Sequence, residues 1–286
     1  MVSHRPFRFG VVAGNSPDAE SWGALATRAE ELGYDVLLAP DSLHVLSPLP
    51  ALAAAAAVTE RIRIGTHVLA VPFRTPGAVA RDADTLDQLS GGRFELGLGV
   101  GRPDARAEAT RLGASWGTAG ERLGLLRSSV SEVRAWFAQE GADVPPLLFA
   151  GVGDRLMALA AAEADILTLG LPPTVDEQEL GRAVERFRRI AGDRGDRVEL
   201  ATNLLIVGDD VPEAMRPFFQ RMLGTDLESV RASGAYGVLG GGPEAVAERL
   251  ACRRQRWGIS YVTVGQHAME EFAAVIRLLH EDDLSR

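Results

Sequence analysis

The sequence predicts an α/β protein whose fold is a (β/α)8 TIM barrel. Short β-rich runs alternate with longer helical runs, and eight such units follow one another along the chain. The chain has 286 residues, close to the roughly 250 that such a barrel uses. No Pro/Ser-rich linker or low-complexity tract divides the units, so we expect a single domain over residues 1–286. A closed barrel is therefore favoured over an open doubly wound sheet.

Eight segments have the length and composition of strands. Each is short and rich in apolar residues, as expected for the buried strands of a parallel sheet. They cover residues 7–12, 35–39, 62–69, 93–98, 147–150, 166–169, 198–207 and 260–264.

The segments between the predicted strands have the apolar period of helices. In residues 20–32, Trp22, Leu25, Ala29 and Leu32 recur at helical spacing, and Gly33 supplies a C-cap. The other helices are predicted over residues 51–57, 76–89, 120–137, 154–162, 176–190, 243–257 and 269–280. Strands that alternate with helices in this way indicate a parallel sheet covered by helices.

Composition excludes several classes of function. A net charge of −9 argues against a general nucleic-acid binder, which needs a basic face. All 30 basic residues are arginine, which rules out Schiff-base and P-loop lysines. Cys252 is the only cysteine and metal ligands do not cluster, so neither an intramolecular disulfide nor a metal site is expected. With no signal-like N-terminus and no membrane-length apolar run, we expect a cytoplasmic protein without a membrane partner.

Polar residues at the predicted strand ends are the first candidates for a site. In TIM barrels the catalytic groups lie where strands end and βα loops begin. Asp41, Ser42 and His44 follow the second predicted strand, where they form either an active-site rim or an ordinary turn. His67 lies near the end of the third, where a ligand-binding role and a core role are both open.

Glycine-rich strand ends are the second group of candidates. Gly97, Gly99 and Gly101 leave one face of the fourth predicted strand bare, so either a neighbouring element or a flat ligand can approach it. Asp104 stands where the dinucleotide fingerprint G-x-G-x-x-G needs glycine, which weakens a Rossmann interpretation. The fifth strand leads through Gly151-Val152-Gly153-Asp154 straight into a helix. Such a turn predicts a phosphate site, with a plain tight turn as the alternative.

A dense motif carries a family resemblance. The run from Thr75-Pro76 through ARDADTLDQLSGGRFELGLGVGR to Arg102 resembles the bacterial luciferase-like family of flavin and deazaflavin oxidoreductases. The segments EELGYDVLLAPD, PPLLFAGVGDRLMALAAAEADILTLG and GGGPEAVAERLACRRQRWGISYVTVG extend the resemblance over about residues 5–279. The chain is most similar to the actinobacterial branch that uses the deazaflavin coenzyme F420.

The resemblance implies a luciferase-like barrel with the cofactor ring over the carboxyl ends of the strands. It implies a non-prolyl cis peptide at His67–Val68 that supports the ring, and a homodimer packed through helices around residues 49–58 and 76–89. It also implies which residues bind the cofactor: Ser42, Thr66, His67, Val68, Ala70, Val100, Gly101, Arg102 and, at its phosphate, Gly151, Val152, Gly153 and Asp154.

The implied activity is that of an F420-dependent oxidoreductase. It would transfer a hydride between the deazaflavin and a small organic substrate at a C=C, C=N or carbonyl/alcohol group. The alternatives are an FMN-dependent monooxygenase of the same fold and a cofactor-binding paralogue without turnover. Asp41 stands at the family's acid, but Ser42 replaces the histidine that many deazaflavin members place next. His67 or His44 is therefore the candidate for proton transfer, because imidazole titrates near neutrality.

The substrate pocket is less defined by the sequence. The candidates near the ring are Asn15, Leu46, Phe73 and Arg102. Arg74 either binds an anionic group or bridges to the neighbouring helix.

Overall fold

Eight parallel strands close into a barrel in the computed structural model, which describes residues 5–209, 211, 213, 216–224 and 226–284. β1 pairs with β2 and β11, and β3 pairs with β5, so the ring has no open edge. The strands of the ring and the short β4 are β1 (Arg8–Val12), β2 (Val36–Ala39), β3 (Arg63–Thr66), β4 (Leu69–Ala70), β5 (Phe94–Gly99), β6 (Leu147–Ala150), β7 (Ile166–Thr168), β8 (Glu199–Leu204) and β11 (Ile259–Gly265). The predicted (β/α)8 fold is confirmed.

Helices cover the outside of the barrel. They are α1 (Ala19–Glu31), α2 (Pro48–Val58), α3 (Pro76–Ser90), α4 (Arg106–Arg111), α5 (Ala119–Glu140), α6 (Asp154–Glu163), α7 (Glu177–Ala191), α8 (Arg216–Leu223), α9 (Leu227–Ala232), α10 (Pro243–Trp257) and α11 (Met269–Leu284). Local capping residues set the helix ends. In α5, Thr118 and Glu121 form a capping box at the start, and Gly141 ends the helix with a φ of 68°. Within the described residues, none of these helices has the length and apolarity to cross a bilayer.

Two predicted strands are interrupted, which corrects the sequence prediction. The segment 62–69 breaks after β3 and resumes at β4, because an irregular turn separates them. The segment 198–207 ends its barrel strand at Leu204. Its last two residues, β9 (Ile206–Val207), pair instead with β10 (Val238–Leu239) in a separate two-stranded sheet. This sheet, α8 and α9 form an insertion between the last two barrel strands that the sequence did not predict.

The interior of the barrel is closed at the amino ends of the strands. Arg8 lies there between the carboxylates of Glu199 and Glu95, and its guanidinium stacks over Tyr261 at 4.5 Å from the ring centroid. Arg63 donates to the same Glu95 at 2.8 Å. This buried charged layer fills one end of the barrel, so the open end is the one formed by the carboxyl ends of the strands.

Candidate active site

A cavity of about 580 Å³ opens at the carboxyl end of the barrel. The ends of β1, β2, β3, β8 and β11 line it, and its volume falls within the range of small-molecule sites. Polar groups reach it from His67, Asn203, Thr263 and Gln266, among apolar residues such as Val12. The position agrees with the general location of active sites in this fold.

The peptide bond between His67 and Val68 is cis, as predicted. It lies between β3 and β4, at the wall of the cavity. The turn it belongs to crosses the bare face of β5. A Cβ atom at Gly97 would stand 1.9 Å from Thr66 O, and one at Gly99 would stand 2.5 Å from a Val68 methyl. The alternating glycines of β5 therefore admit this turn, which settles the choice between a neighbouring element and a flat ligand at those two positions.

His67 is held on both sides and is electrically neutral at pH 7. Its backbone N–H donates to Ala39 O at 2.9 Å, and its Nε2 lies 3.5 Å from Thr168 Oγ1. Burial lowers the pKa of its imidazole to about 4. The surrounding protein penalises the charged ring, which argues against His67 as a proton donor at pH 7. Its predicted part in proton transfer stays a prediction.

Asp41 is a clamp between strands. Its Oδ2 accepts from Ala70 N–H at 2.9 Å and from Arg74 Nη1 at 2.5 Å, while Oδ1 accepts from Arg74 Nη2 at 3.3 Å. Both side chains are largely buried. Arg74 thus forms an ion pair with Asp41 in the loop after β2, so the predicted bridge to the neighbouring helix α3 is not the contact it makes. The carboxylate's contacts favour positioning β4 over a direct role in proton transfer.

The loop after β2, residues 41–44, is held by a residue that the sequence analysis did not single out. Glu108 of α4 accepts from Leu43 N–H at 2.7 Å and from Arg102 Nη2 at 2.6 Å. Ser42 Oγ accepts from His44 N–H at 3.4 Å, and the His44 side chain is exposed outside the cavity lining. The rim is therefore an ordered loop, and of the three candidate imidazole and carboxylate groups only His67 reaches the cavity.

The turn after β5 packs against an aromatic side chain. Gly101 has a φ of 83°, and a Cβ there would stand 2.5 Å from the Trp116 ring. Arg122 stacks on that ring at 4.4 Å and donates to Val100 O at 2.9 Å. The residues predicted to flank the cofactor are thereby fixed in place, although they do not line the cavity itself.

The predicted phosphate turn leads into a helix without a side-chain cap. Gly153 is the N-cap of α6 and provides no side-chain acceptor for the first-turn amides. The Asp154 carboxylate is bound by Arg186 at 2.5 Å, a hydrogen bond that lowers the pKa of Asp154. Gly151 N–H donates to Thr168 O at 3.0 Å. Since Thr168 also contacts His67, this turn lies beside the residues at the cavity wall.

Several cavity residues were missed. Thr263 Oγ1 donates to Asn203 Oδ1 at 2.5 Å, and both side chains line the cavity. Gln266 Oε1 accepts from the N–H groups of Gly14 and Asn15 at 3.1 Å each. Asn203 was detectable as the one amide within the predicted strand at residues 198–207.

Of the four residues predicted to line the substrate pocket, one lines the cavity. Asn15 lines the cavity, whereas Leu46, Phe73 and Arg102 lie outside its lining. Arg102 is turned towards Glu108 by their ion pair, and the Leu46 side chain faces solvent.

The fold and the cavity define a (β/α)8 barrel protein with a small-molecule site at the carboxyl ends of its strands. The sequence model of the luciferase-like monooxygenase family matches residues 5–229, and the chain belongs to that family. This confirms the resemblance found in the sequence.

Relatives with named activities support the same grouping. The chain is 29% identical over 239 residues to an F420-dependent glucose-6-phosphate dehydrogenase of Nakamurella multipartita, covering 71% of this chain and 68% of that protein. It is 36% identical over 148 residues to the protein of the same name from Microbacterium testaceum, covering 47% of this chain and 42% of that protein. In the second comparison the chain thus spans under half the length of its relative.

A solved structure shows the same fold. It is the coenzyme F420-dependent tetrahydromethanopterin reductase from Methanopyrus kandleri, with a TM-score of 0.72 over 96% of this chain and all of that one. The two sequences are 16% identical, so the likeness concerns the fold.

Proposed function

We propose that this protein is an F420-dependent oxidoreductase that transfers a hydride between the deazaflavin and a small organic substrate. The single observation that carries the proposal is the arrangement of the cis peptide and the start of α6 at the carboxyl end of the barrel. There the cis peptide at His67–Val68 lies at the cavity wall. Thr168 contacts the His67 ring and accepts from the N–H of Gly151, two residues before the uncapped start of α6 at Gly153. F420-dependent activity in the names of two relatives supports the choice of cofactor.

The residues present fit this cofactor. The first turn of α6 offers backbone N–H groups and a positive dipole end, which suit a phosphate diester. Gly153 leaves open space where a side chain would otherwise stand. The backbone of residues 67–68 would support the ring. When bound, the deazaflavin supplies or accepts the hydride.

The chain's own side chains would position the substrate. Asn203 and Thr263 form a hydrogen-bonded polar pair within an otherwise largely apolar lining. His67, neutral at pH 7, offers a ring nitrogen towards Thr168 and the cavity. Because its ring is not an acid at that pH, we assign it to orientation of the bound groups. A substrate with a C=C, C=N or carbonyl group would meet this polar pair.

An FMN-dependent monooxygenase is the alternative within the same fold. It is favoured by the description of the family, luciferase-like monooxygenase, whose model spans most of the chain. A paralogue that binds cofactor without turnover is the third candidate, motivated by Ser42 in place of a histidine.

Single-turnover kinetics test the proposal. The protein is mixed with reduced F420 and with enones, imines or ketones, and reoxidation of the coenzyme is followed optically. Hydride transfer to at least one substrate class, dependent on the protein, is expected. Protein-dependent oxygen consumption with reduced FMN, and no reaction with reduced F420, would support the monooxygenase instead. F420 binding without transfer to any of them would favour the paralogue.

A homodimer is part of the proposal. Val58 at the end of α2 is 50% exposed and Leu89 near the end of α3 is 64% exposed, although both are large and apolar. Apolar side chains on two adjacent helices are consistent with a covered face. Light scattering would report twice the 30.5 kDa chain mass if the dimer forms, and an exposed-face variant such as Leu89→Glu would return it to the chain mass.

A further inference from the structure

A second cavity lies on the flank of the barrel, away from the proposed active site. Its volume is about 540 Å³, and its lining shares no residue with the cavity at the carboxyl ends. It is enclosed by α10, by Glu177 at the start of α7, and by residues of the insertion such as Arg231. No part of the proposed function uses it.

One face of α10 presents basic side chains to this cavity. Arg249, Arg253 and Arg256 line it together with Cys252, and their spacing of three and four residues places them on one side of the helix. Arg249 and Arg256 are exposed, so their guanidinium groups are accessible from solvent.

Arg253 is buried with part of its hydrogen-bonding capacity unused. The residue is 2% exposed. Its Nε and Nη2 donate to Glu177 Oε1, and Nη2 also donates to Tyr236 O at 2.7 Å. Its Nη1 has no hydrogen-bond partner among the described residues. An unsatisfied buried guanidinium nitrogen is costly, and an acceptor in the cavity would satisfy it.

The charges around the cavity favour an anion. Four arginines line it against two carboxylates, and Arg231 is also paired with Glu228 at 3.1 Å, which leaves an excess of one positive charge. Glu177 is engaged by Arg253, and Asp209 Oδ1 accepts from Gly241 N–H at 2.9 Å. Guanidinium groups bind phosphate oxygens through paired N–H donors, and a phosphate monoester carries up to two negative charges near pH 7.

We propose that this cavity binds the phosphoryl group of a small molecule, held by Arg249, Arg253 and Arg256. The site goes beyond the proposed oxidoreductase activity and does not depend on it. The volume admits a group larger than phosphate alone, so an organic phosphate monoester is the class of ligand it would take.

Cys252 offers a direct measurement, because it is the only cysteine and lies in the lining. Its rate of alkylation by iodoacetamide is measured as inorganic phosphate is added, with ionic strength held constant by sodium chloride. Saturable slowing at increasing phosphate is expected. Succinate, a dicarboxylate dianion, should protect at least about tenfold less well, since it lacks the tetrahedral oxygens.

Two variants complete the test. Arg249→Gln/Arg256→Gln removes two exposed donors and should raise the half-protecting phosphate concentration about tenfold or more. Arg127→Gln/Arg277→Gln loses the same charge at exposed positions outside the cavity. In this variant phosphate should protect Cys252 as well as it does in the parent protein. Circular dichroism checks that both variants fold. The proposal would be overturned if sodium chloride or succinate slowed the alkylation of Cys252 as strongly as phosphate does. It would also be overturned if phosphate still slowed the alkylation in Arg249→Gln/Arg256→Gln.

Discussion

Thr66 and Gly97 exchange two hydrogen bonds across neighbouring strands. Thr66 Oγ1 donates to Gly97 O at 2.8 Å and accepts from Gly97 N–H at 2.9 Å. The regular pairing of β3 with β5 lies just before this point, at Ile64 and Gly65. The Thr66 hydroxyl therefore replaces the backbone hydrogen bonds between β3 and β5 just before the cis peptide that borders the cavity.

Gly97→Ala tests how tightly this contact is packed. The new methyl would stand 1.9 Å from Thr66 O, a backbone atom, so the turn at residues 66–68 must move. We expect a loss of about 3 kcal/mol or more in the free energy of unfolding, measured by urea denaturation. Gly124→Ala is the matched control, because it lies in α5 with no atom within 4 Å and should stabilise the protein by up to about 1 kcal/mol. Equal stability of the two variants would contradict this packing.

The Asp41–Arg74 ion pair should contribute to stability because both side chains are mostly buried. Asp41→Asn leaves the arginine without its counter-charge and should cost about 3 kcal/mol in urea denaturation. In a double-mutant cycle with Arg74→Met the two changes should be clearly non-additive. For comparison, Glu179→Gln breaks a solvent-exposed pair with Arg182 and should change the stability far less. A cost for Asp41→Asn as small as that of the surface pair would rule out the clamp.

His67 should make stability depend on pH. Its folded-state pKa of about 4 lies below the unfolded value of about 6.5, so the unfolded state binds more protons between those pH values. Its contribution is present above pH 6.5 and is lost as pH falls towards 4, by up to about 3 kcal/mol. His67→Leu should remove this part of the pH dependence. An imidazole NMR titration of His67 with its midpoint near 6.5 would refute the assignment.

Gly153→Asp tests the phosphate site without disturbing the fold. Gly153 has a φ of −76° and open space at its Cβ position, so aspartate can adopt the N-cap conformation. Its carboxylate would bind the first-turn amides and should stabilise α6 by roughly a few tenths of a kcal/mol, because glycine is itself a tolerated N-cap. The same carboxylate would repel a phosphate, so F420 affinity should fall at least about tenfold. Gly153→Ala, which adds volume without charge, is the control in the fluorescence titration. Undiminished F420 binding by Gly153→Asp would place the phosphate elsewhere.

The sequence predicted the barrel because its strands and helices alternate with clear periodicity, and the cis bond followed from family resemblance at His67. The residue composition of segment 62–69 did not predict that the strand breaks after Thr66, because the apolar pattern continues through the break. The sequence also missed Gln266, whose partners Gly14 and Asn15 are some 250 residues away along the chain.

The electrostatic state of the site was beyond sequence reasoning. A histidine is expected to titrate near neutrality until its burial is known, and burial lowers the pKa of His67. Glu108 on α4 was not singled out in the sequence, yet it is buried and binds Leu43 N–H and Arg102. Both properties depend on which elements meet in three dimensions.

The identity of the cofactor is the central claim, and equilibrium binding tests it most directly. The purified protein is titrated with F420 and with FMN, and fluorescence quenching is followed to saturation. The account predicts saturable one-to-one binding of F420, with FMN bound at least about tenfold more weakly. Saturable binding of FMN with no binding of F420 would contradict it.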